Sequence, residues 1–151
     1  MDMKARKTLA VIPVAGEVQR IAISNDDKLV FTSDYKTPEL VAIDTASRNV
    51  KQRIALPGLG YGAAPTADGR WLVIAIPAAG KVAVIDLKSM TVAKTIDVPD
   101  GPAEVLIAPD GKTAYVACNA KGQIAEIDLG QWKVAGLIDA GKGADGLAWA
   151  K

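Results

Sequence analysis

The chain has 151 residues, half of them hydrophobic and 23% charged, with a formal net charge of +1; that is one domain with enough apolar side chains for a packed core. It has no histidine and a single cysteine, Cys118. That excludes an intrachain disulfide, a CxxC or four-cysteine zinc site, HExxH chemistry and a histidine-based triad. No basic stripe points to nucleic acid, and no apolar run reaches the ~18–20 residues that span a bilayer.

In chain order, "MDMKARKTLAVIPV" (1–14) has charge but too short an apolar stretch for a signal peptide. Its residues 5–14 are expected to form a lone outer strand. A repeat then sets in. The turn Asp26-Asp27-Lys28 returns as Asp68-Gly69-Arg70 and Asp110-Gly111-Lys112, each 42 residues after the last. Ile43-Asp44 returns as Ile85-Asp86 and Ile127-Asp128, and a third column runs Ile12, Ile54, Ile96, Ile138. Three columns with one spacing and no insertion define a tandem module.

Within the second unit "YGAAPT" leads to the turn "ADGR". Then follow "WLVIAI", the loop "PAAG", "KVAVID", the turn "LKSM" and "TVAKTIDV". Short Val/Ile-rich runs bounded by Gly, Pro, Asp and Ser read as strands. Four strands, A to D from the channel outward, in about 42 residues make a propeller blade. The division predicts an outer strand D in 1–14, full repeats at 15–56, 57–98 and 99–140, and an inner strand A in 141–151. In the third repeat, A falls near 102–108, B at 113–118, C at 123–128 and D at 133–139. "WLVIAI" and "KVAVID" are apolar almost throughout, as middle strands covered on both sides should be.

The stretch "PDGKTAYVACNAKGQIAEID" resembles the YVTN-family β-propeller repeat through Asp110, Gly111, Lys112, Tyr115, Val116, Asn119, Ile127 and Asp128. The second unit keeps Asp68, Gly69, Ile85 and Asp86, with Val73 in place of the tyrosine; the first keeps Asp26, Ile43 and Asp44, with Phe31 there. The resemblance covers nearly the whole chain. It implies an all-β propeller fold and a periplasmic, secreted or cell-surface parent. Members range from surface-layer and adhesion-like proteins to relatives of quinoprotein dehydrogenase subunits.

About three and a half blades do not close a ring, since propellers have four to eight. The open blade faces are expected to be covered by self-association, as a homodimer or higher ring, or by the remainder of a longer propeller.

The recurring acids have structural roles. Asp44, Asp86 and Asp128 end strand C, where a carboxylate caps backbone N–H groups. Asp26, Asp68 and Asp110 open the A–B turn, where Gly69 and Gly111 supply positive φ. Function is sought where the repeats differ, in the D–A and B–C loops that share the face at the channel mouth. One channel-side column holds Arg20, Gly62, Glu104 and Gly146; there Arg20 and Glu104 could pair across the channel or hold a charged ligand, and the plainer reading is that they are solvated residues at strand starts. Asp34, Tyr35, Lys36, Tyr61, Asn119, Lys121 and Asp145 surround the same face. These are the candidate ligand- or partner-binding residues. "PGLGYG" (57–62) lacks the Gly-Lys-Ser/Thr ending and following helix of a phosphate loop. Trp149 aligns with Ile23 and Ile107 and is expected in the core of the terminal face. Cys118 is expected as a buried small hydrophobe without a base to activate it.

The primary reading is a non-catalytic binding or scaffold propeller for a protein, peptide or glycan, without a cofactor. The alternatives are a fragment or subunit of a propeller enzyme, lactonase-like or a dehydrogenase subunit, and a half-propeller without a function of its own. The lactonase-like version needs an oxygen-rich cation site built from Glu17, Glu104, Asn119 and Asp145.

Overall fold

The computed structural model describes residues 4–14 and 16–150. Among the described residues are twelve strands in three antiparallel four-stranded sheets. The first sheet is β1 (Val18–Ile23), β2 (Leu29–Asp34), β3 (Glu39–Asp44) and β4 (Asn49–Ala55). The second is β5 (Ala63–Pro65), β6 (Trp71–Ile76), β7 (Lys81–Asp86) and β8 (Thr91–Asp97). The third is β9 (Pro102–Ile107), β10 (Thr113–Cys118), β11 (Gln123–Asp128) and β12 (Lys133–Asp139). Each sheet is a meander in sequence order, which is the blade topology the 42-residue period demands. The inner strands β1, β5 and β9 lie side by side, as do the outer strands β4, β8 and β12.

Alternation within each strand decides which side chains pack on which neighbour. One core cluster joins Phe31, Leu40, Ala42 and Ile54 of the first blade to Leu72, Ile74, Ile76, Ala83 and Ile85 of the second. The other joins Val73, Ala75, Val82, Val84 and Ile96 to Val105, Ala114, Val116, Cys118, Ala125 and Ile127 of the third. The middle strands β6 and β7 therefore contribute to both clusters, and this is why they carry no polar face. Cys118 is fully buried, and burial pushes its thiol pKa up.

The turns are built as their acids require. Asp26, Asp68 and Asp110 each accept the backbone N–H two residues on, at 3.2, 3.0 and 2.9 Å. Between them Asp27, Gly69 and Gly111 take φ of 57°, 68° and 69°. Asp44 caps Ser47, Asp86 caps Lys88 and Ser89, and Asp128 caps Gly130 and Gln131. The loop at Pro77–Ala79 is a single 3-10 turn closed by left-handed Gly80.

The two flanking strands are not formed. Of the described residues in 4–14 only Lys7 makes a bridge, and 143–150 carry no strand. The reason is pairing. An outer strand pairs only with the C strand of its own blade, and a lone inner strand only with a B strand; the chain supplies neither. Residues 1–3 and 151, the tips of these expected segments, and 15, the first residue of the first repeat, lie outside the described residues. Trp149 is accordingly no core residue: it is 53% exposed and lies against Tyr115, ring centroids 6.3 Å apart.

Candidate functional site

The inner ends of the blades bring one basic side chain under three partners. Arg20 sits in a bulge of β1, where pairing with β2 slips between Gln19 and Ala22. Its φ is 54°, in the left-handed region that a residue with a Cβ enters at a cost. Thr32 holds the bulge by donating its hydroxyl to the Arg20 carbonyl at 2.8 Å, and the Ser33 hydroxyl donates to the Gln19 carbonyl at 3.0 Å.

From the bulge the guanidinium reaches the Asp145 carboxylate at 3.0 and 3.1 Å and the Tyr61 hydroxyl at 3.5 Å. It lies 4.7 Å from the centre of the Tyr61 ring and 3.8 Å from a Glu104 oxygen. Partial burial works against the charge, but the Tyr61 hydroxyl, Asp145 and Glu104 outweigh it and raise the pKa of Arg20. Three successive repeats and the C-terminal segment thus each deliver one residue to one cluster.

Gly62 makes the cluster possible. Its N–H donates to the Ala103 carbonyl at 2.9 Å, joining the inner edges of the second and third blades. A Cβ on Gly62 would collide with that carbonyl and with the Cα and carboxylate of Glu104. The close approach brings Tyr61 and Glu104 to the same cation.

The other candidates form separate groups. Asp34 is 2% exposed and accepts the backbone N–H of Lys36 at 2.9 Å and of Glu17 at 3.2 Å, and the Thr37 hydroxyl at 2.9 Å. The Lys36 N–H leads the interactions that hold its carboxyl below the usual range. Lys36 pairs with Glu17 at 2.9 Å. This group ties the D–A segment to the B–C loop, a role the residue types alone did not reveal. Tyr35 and Tyr61 line a small cleft of about 280 Å³ with Leu59, Gly60, Pro77 and Ala78. On the third blade the Asn119 N–H donates to the Gly101 carbonyl at 2.8 Å, and Lys121 pairs with Asp100 at 3.5 Å.

The expected cation site is not assembled. Glu17 answers Lys36, Glu104 and Asp145 answer Arg20, and Asn119 belongs to the Gly101 turn. Among the described residues no three His, Cys, Asp or Glu side chains converge as they would on a metal ion.

Several solved structures share the architecture. "Kuenenia stuttgartiensis Hydrazine Synthase" superposes with a TM-score of 0.78 at 27% identity, over 87% of this chain and 40% of that one. Apo AztD from Citrobacter koseri gives 0.70 at 16%, over 87% and 37%. Dihydro-heme d1 dehydrogenase NirN in complex with DHE gives 0.71 at 19%, over 87% and 30%. The chain therefore spans well under half of each of these proteins. No curated protein sequence matches it. The cytochrome D1 heme domain matches over residues 1–151, and with three propeller blades in one unbroken register the chain belongs to that family.

Proposed function

We propose that this chain forms three adjoining blades in the wall of a larger propeller, and that it serves there as part of an enzyme or cofactor-carrying protein. The loop face around Arg20 is the surface such a wall presents to a ligand at the channel mouth. The observation that carries the reading is the convergence of Tyr61 and Glu104 from the second and third repeats, and of Asp145 from the C-terminal segment, on Arg20 of the first. Such a cluster needs inner strands arranged around one axis. The YVTN-like columns serve as the blade repeat in this reading, with their aspartates committed to turns.

The family's name implies a heme, and among the described residues the donors to its iron are absent, buried or engaged, apart from the half-exposed Tyr35. Haem iron takes His, Cys, Met or Tyr. The sequence has no histidine. Cys118 is sealed in the core, and Met90 sits in a C–D turn against the core. Tyr115 packs on Trp149, and Tyr61 stacks under Arg20. No step is therefore routed through iron on these residues. What they do at the channel mouth is hold a fixed guanidinium between two carboxylates and a phenol.

A dye-binding measurement tests the wall reading. A wall segment alone leaves Ile21, Ile23 and Ile138 partly open, so it is expected to bind the apolar dye ANS strongly while keeping a native β circular-dichroism spectrum. A monomer that leaves the dye dark would be self-sufficient and would sink the reading.

A further inference from the structure

The 42-residue register fixes which columns each side of a blade carries. In the second blade Val73, Val82, Val84 and Ile96 face the third blade. The same columns on the third blade are Tyr115, Ile124, Glu126 and Ile138, and they lie on its free side. Cross-strand pairing agrees: Tyr115 is opposite Glu126, and Ile124 is opposite both Ala117 and Ile138. Ile54 and Ile96 are 3% and 8% exposed in the two interior interfaces, and Ile138 is 43% exposed. The free side of the third blade is thus an interface of the established kind without its second half, apart from Trp149, which lies against Tyr115.

One column breaks the pattern. Ala42 and Val84, both fully buried, become Glu126. The Glu126 carboxylate folds over Gly136, where a Cβ would collide with it. The first two blades carry Gln52 and Lys94 at the Gly136 position.

The opposite end of the molecule differs. The free side of the first blade carries Thr32, Asp34, Val41 and Ile43, and all four are buried. The chain covers this part of the face itself and leaves Ile21 and Ile23 of the inner strand open. Leu9, Ala10 and Ile12 lie beside Ile21, Val30 and Ile43, and Glu17 clasps Asp34.

We propose that the free face of the third blade is the docking face for one further propeller blade, which brings a lysine or arginine to Glu126. This rests on the partial-wall reading above and names the chemistry of the partner. Continuity with the two existing interfaces supplies the apolar columns. Glu126 supplies the charge requirement, because a carboxylate buried as deeply as Val84 is unfavourable unless it is paired. A second copy of this chain is the wrong occupant. The columns of its N-terminal face, Val30, Thr32, Asp34, Val41 and Ile43, hold no lysine or arginine, and its C-terminal face brings a second Glu126.

Light scattering combined with amide hydrogen exchange on the full chain tests this, using wild type, Glu126→Val, and an equimolar mixture of wild type with Glu126→Lys. Wild type alone is expected to exchange fast along β12 and to form no complex through that face. Glu126→Val, which restores the residue of the second blade, is expected to self-associate with rising concentration and to slow β12 exchange about tenfold. The mixture is expected to form a salt-sensitive two-chain complex that neither component forms alone. A wild-type complex that already protects β12 would make a second copy the occupant and overturn the proposal. So would a Glu126→Val chain that stays monomeric, or a mixture that forms nothing. These results leave the wall reading standing, since that reading fails on dye binding.

Discussion

Arg20 and Asp145 meet at 3.0 Å across 125 residues of sequence. The contact ties the C-terminal segment to the inner strand of the first blade. Both side chains are well exposed, so the ion pair itself contributes little, about 0–1 kcal/mol. Its larger effect is positional. Arg20→Ala and Asp145→Asn are each expected to lower stability only slightly and to share most of the loss in the double variant. Amide exchange in residues 144–150 is expected to speed up in both. Unchanged exchange there in either variant would show that the pair holds nothing in place.

Gly62 and Gly146 occupy one column of the repeat and have opposite surroundings. A Cβ on Gly62 meets the backbone of Ala103 and Glu104, and one on Gly146 meets nothing within 4 Å. Gly62→Ala is therefore expected to destabilise by about 1–3 kcal/mol, the usual range for overpacking. Gly146→Ala is expected to be near neutral. Urea unfolding of both variants makes the comparison, and equal midpoints would refute the close approach of the second and third inner strands.

Iron coordination gives a third check. The chain offers no imidazole, and its thiol is buried. Hemin added to the purified chain is expected to retain the spectrum of iron without a protein ligand, and Tyr35→Phe and Tyr61→Phe are each expected to leave that spectrum unchanged. A ligand-field signature that Tyr61→Phe removes would assign the phenolate to iron and displace Arg20 from its present role.

The repeat made the blades legible. Three columns at one spacing placed β10, β11 and β12 on the residues where they form, and they identified the turn aspartates as caps. The column that holds Arg20 and Glu104 was legible too, but their contact was only one of the readings it allowed, beside a charged ligand or plain solvation. Three features were hidden. The Arg20 bulge depends on hydroxyls of the neighbouring strand, Thr32 and Ser33, and nothing in a one-dimensional pattern couples them to Gln19 and Arg20. Asp34 looked like a loop acid free to bind, but its oxygens take N–H groups from the Lys36 turn and from Glu17 on the other side of the strand pair. Trp149 aligned with core positions and is half exposed, because alignment reports where a residue would pack in a complete blade. Strands A and D at the ends failed for the same reason: a strand is a property of two neighbours, and the periodic sequence describes only one.

Acid stability follows from the turn carboxylates. Ser24 and then the Lys28 N–H hold Asp26 at about 2. The Ser47 N–H lowers Asp44, the Ser89 and Lys88 N–H groups lower Asp86, and the Thr66 hydroxyl followed by the Arg70 N–H lowers Asp68. Each folded-state pKa lies below the unfolded aspartate value of about 3.9. Between those values the unfolded chain binds more protons than the folded one, so stability falls as pH falls. The contribution is complete above about pH 5 and fades as pH falls, the Asp26 share being lost only as pH drops through its folded-state value of about 2. With no histidine in the sequence, no side chain of that type titrates between pH 5 and 7. Urea midpoints are therefore expected to be flat from pH 7 to about 5 and to drop steeply below 4. Asp26→Asn is expected to unfold more easily at pH 7 and to show a shallower acid slope. A midpoint that declines already between pH 7 and 5.5, or an Asp26→Asn variant with the full wild-type slope, would remove these caps as the source of acid sensitivity.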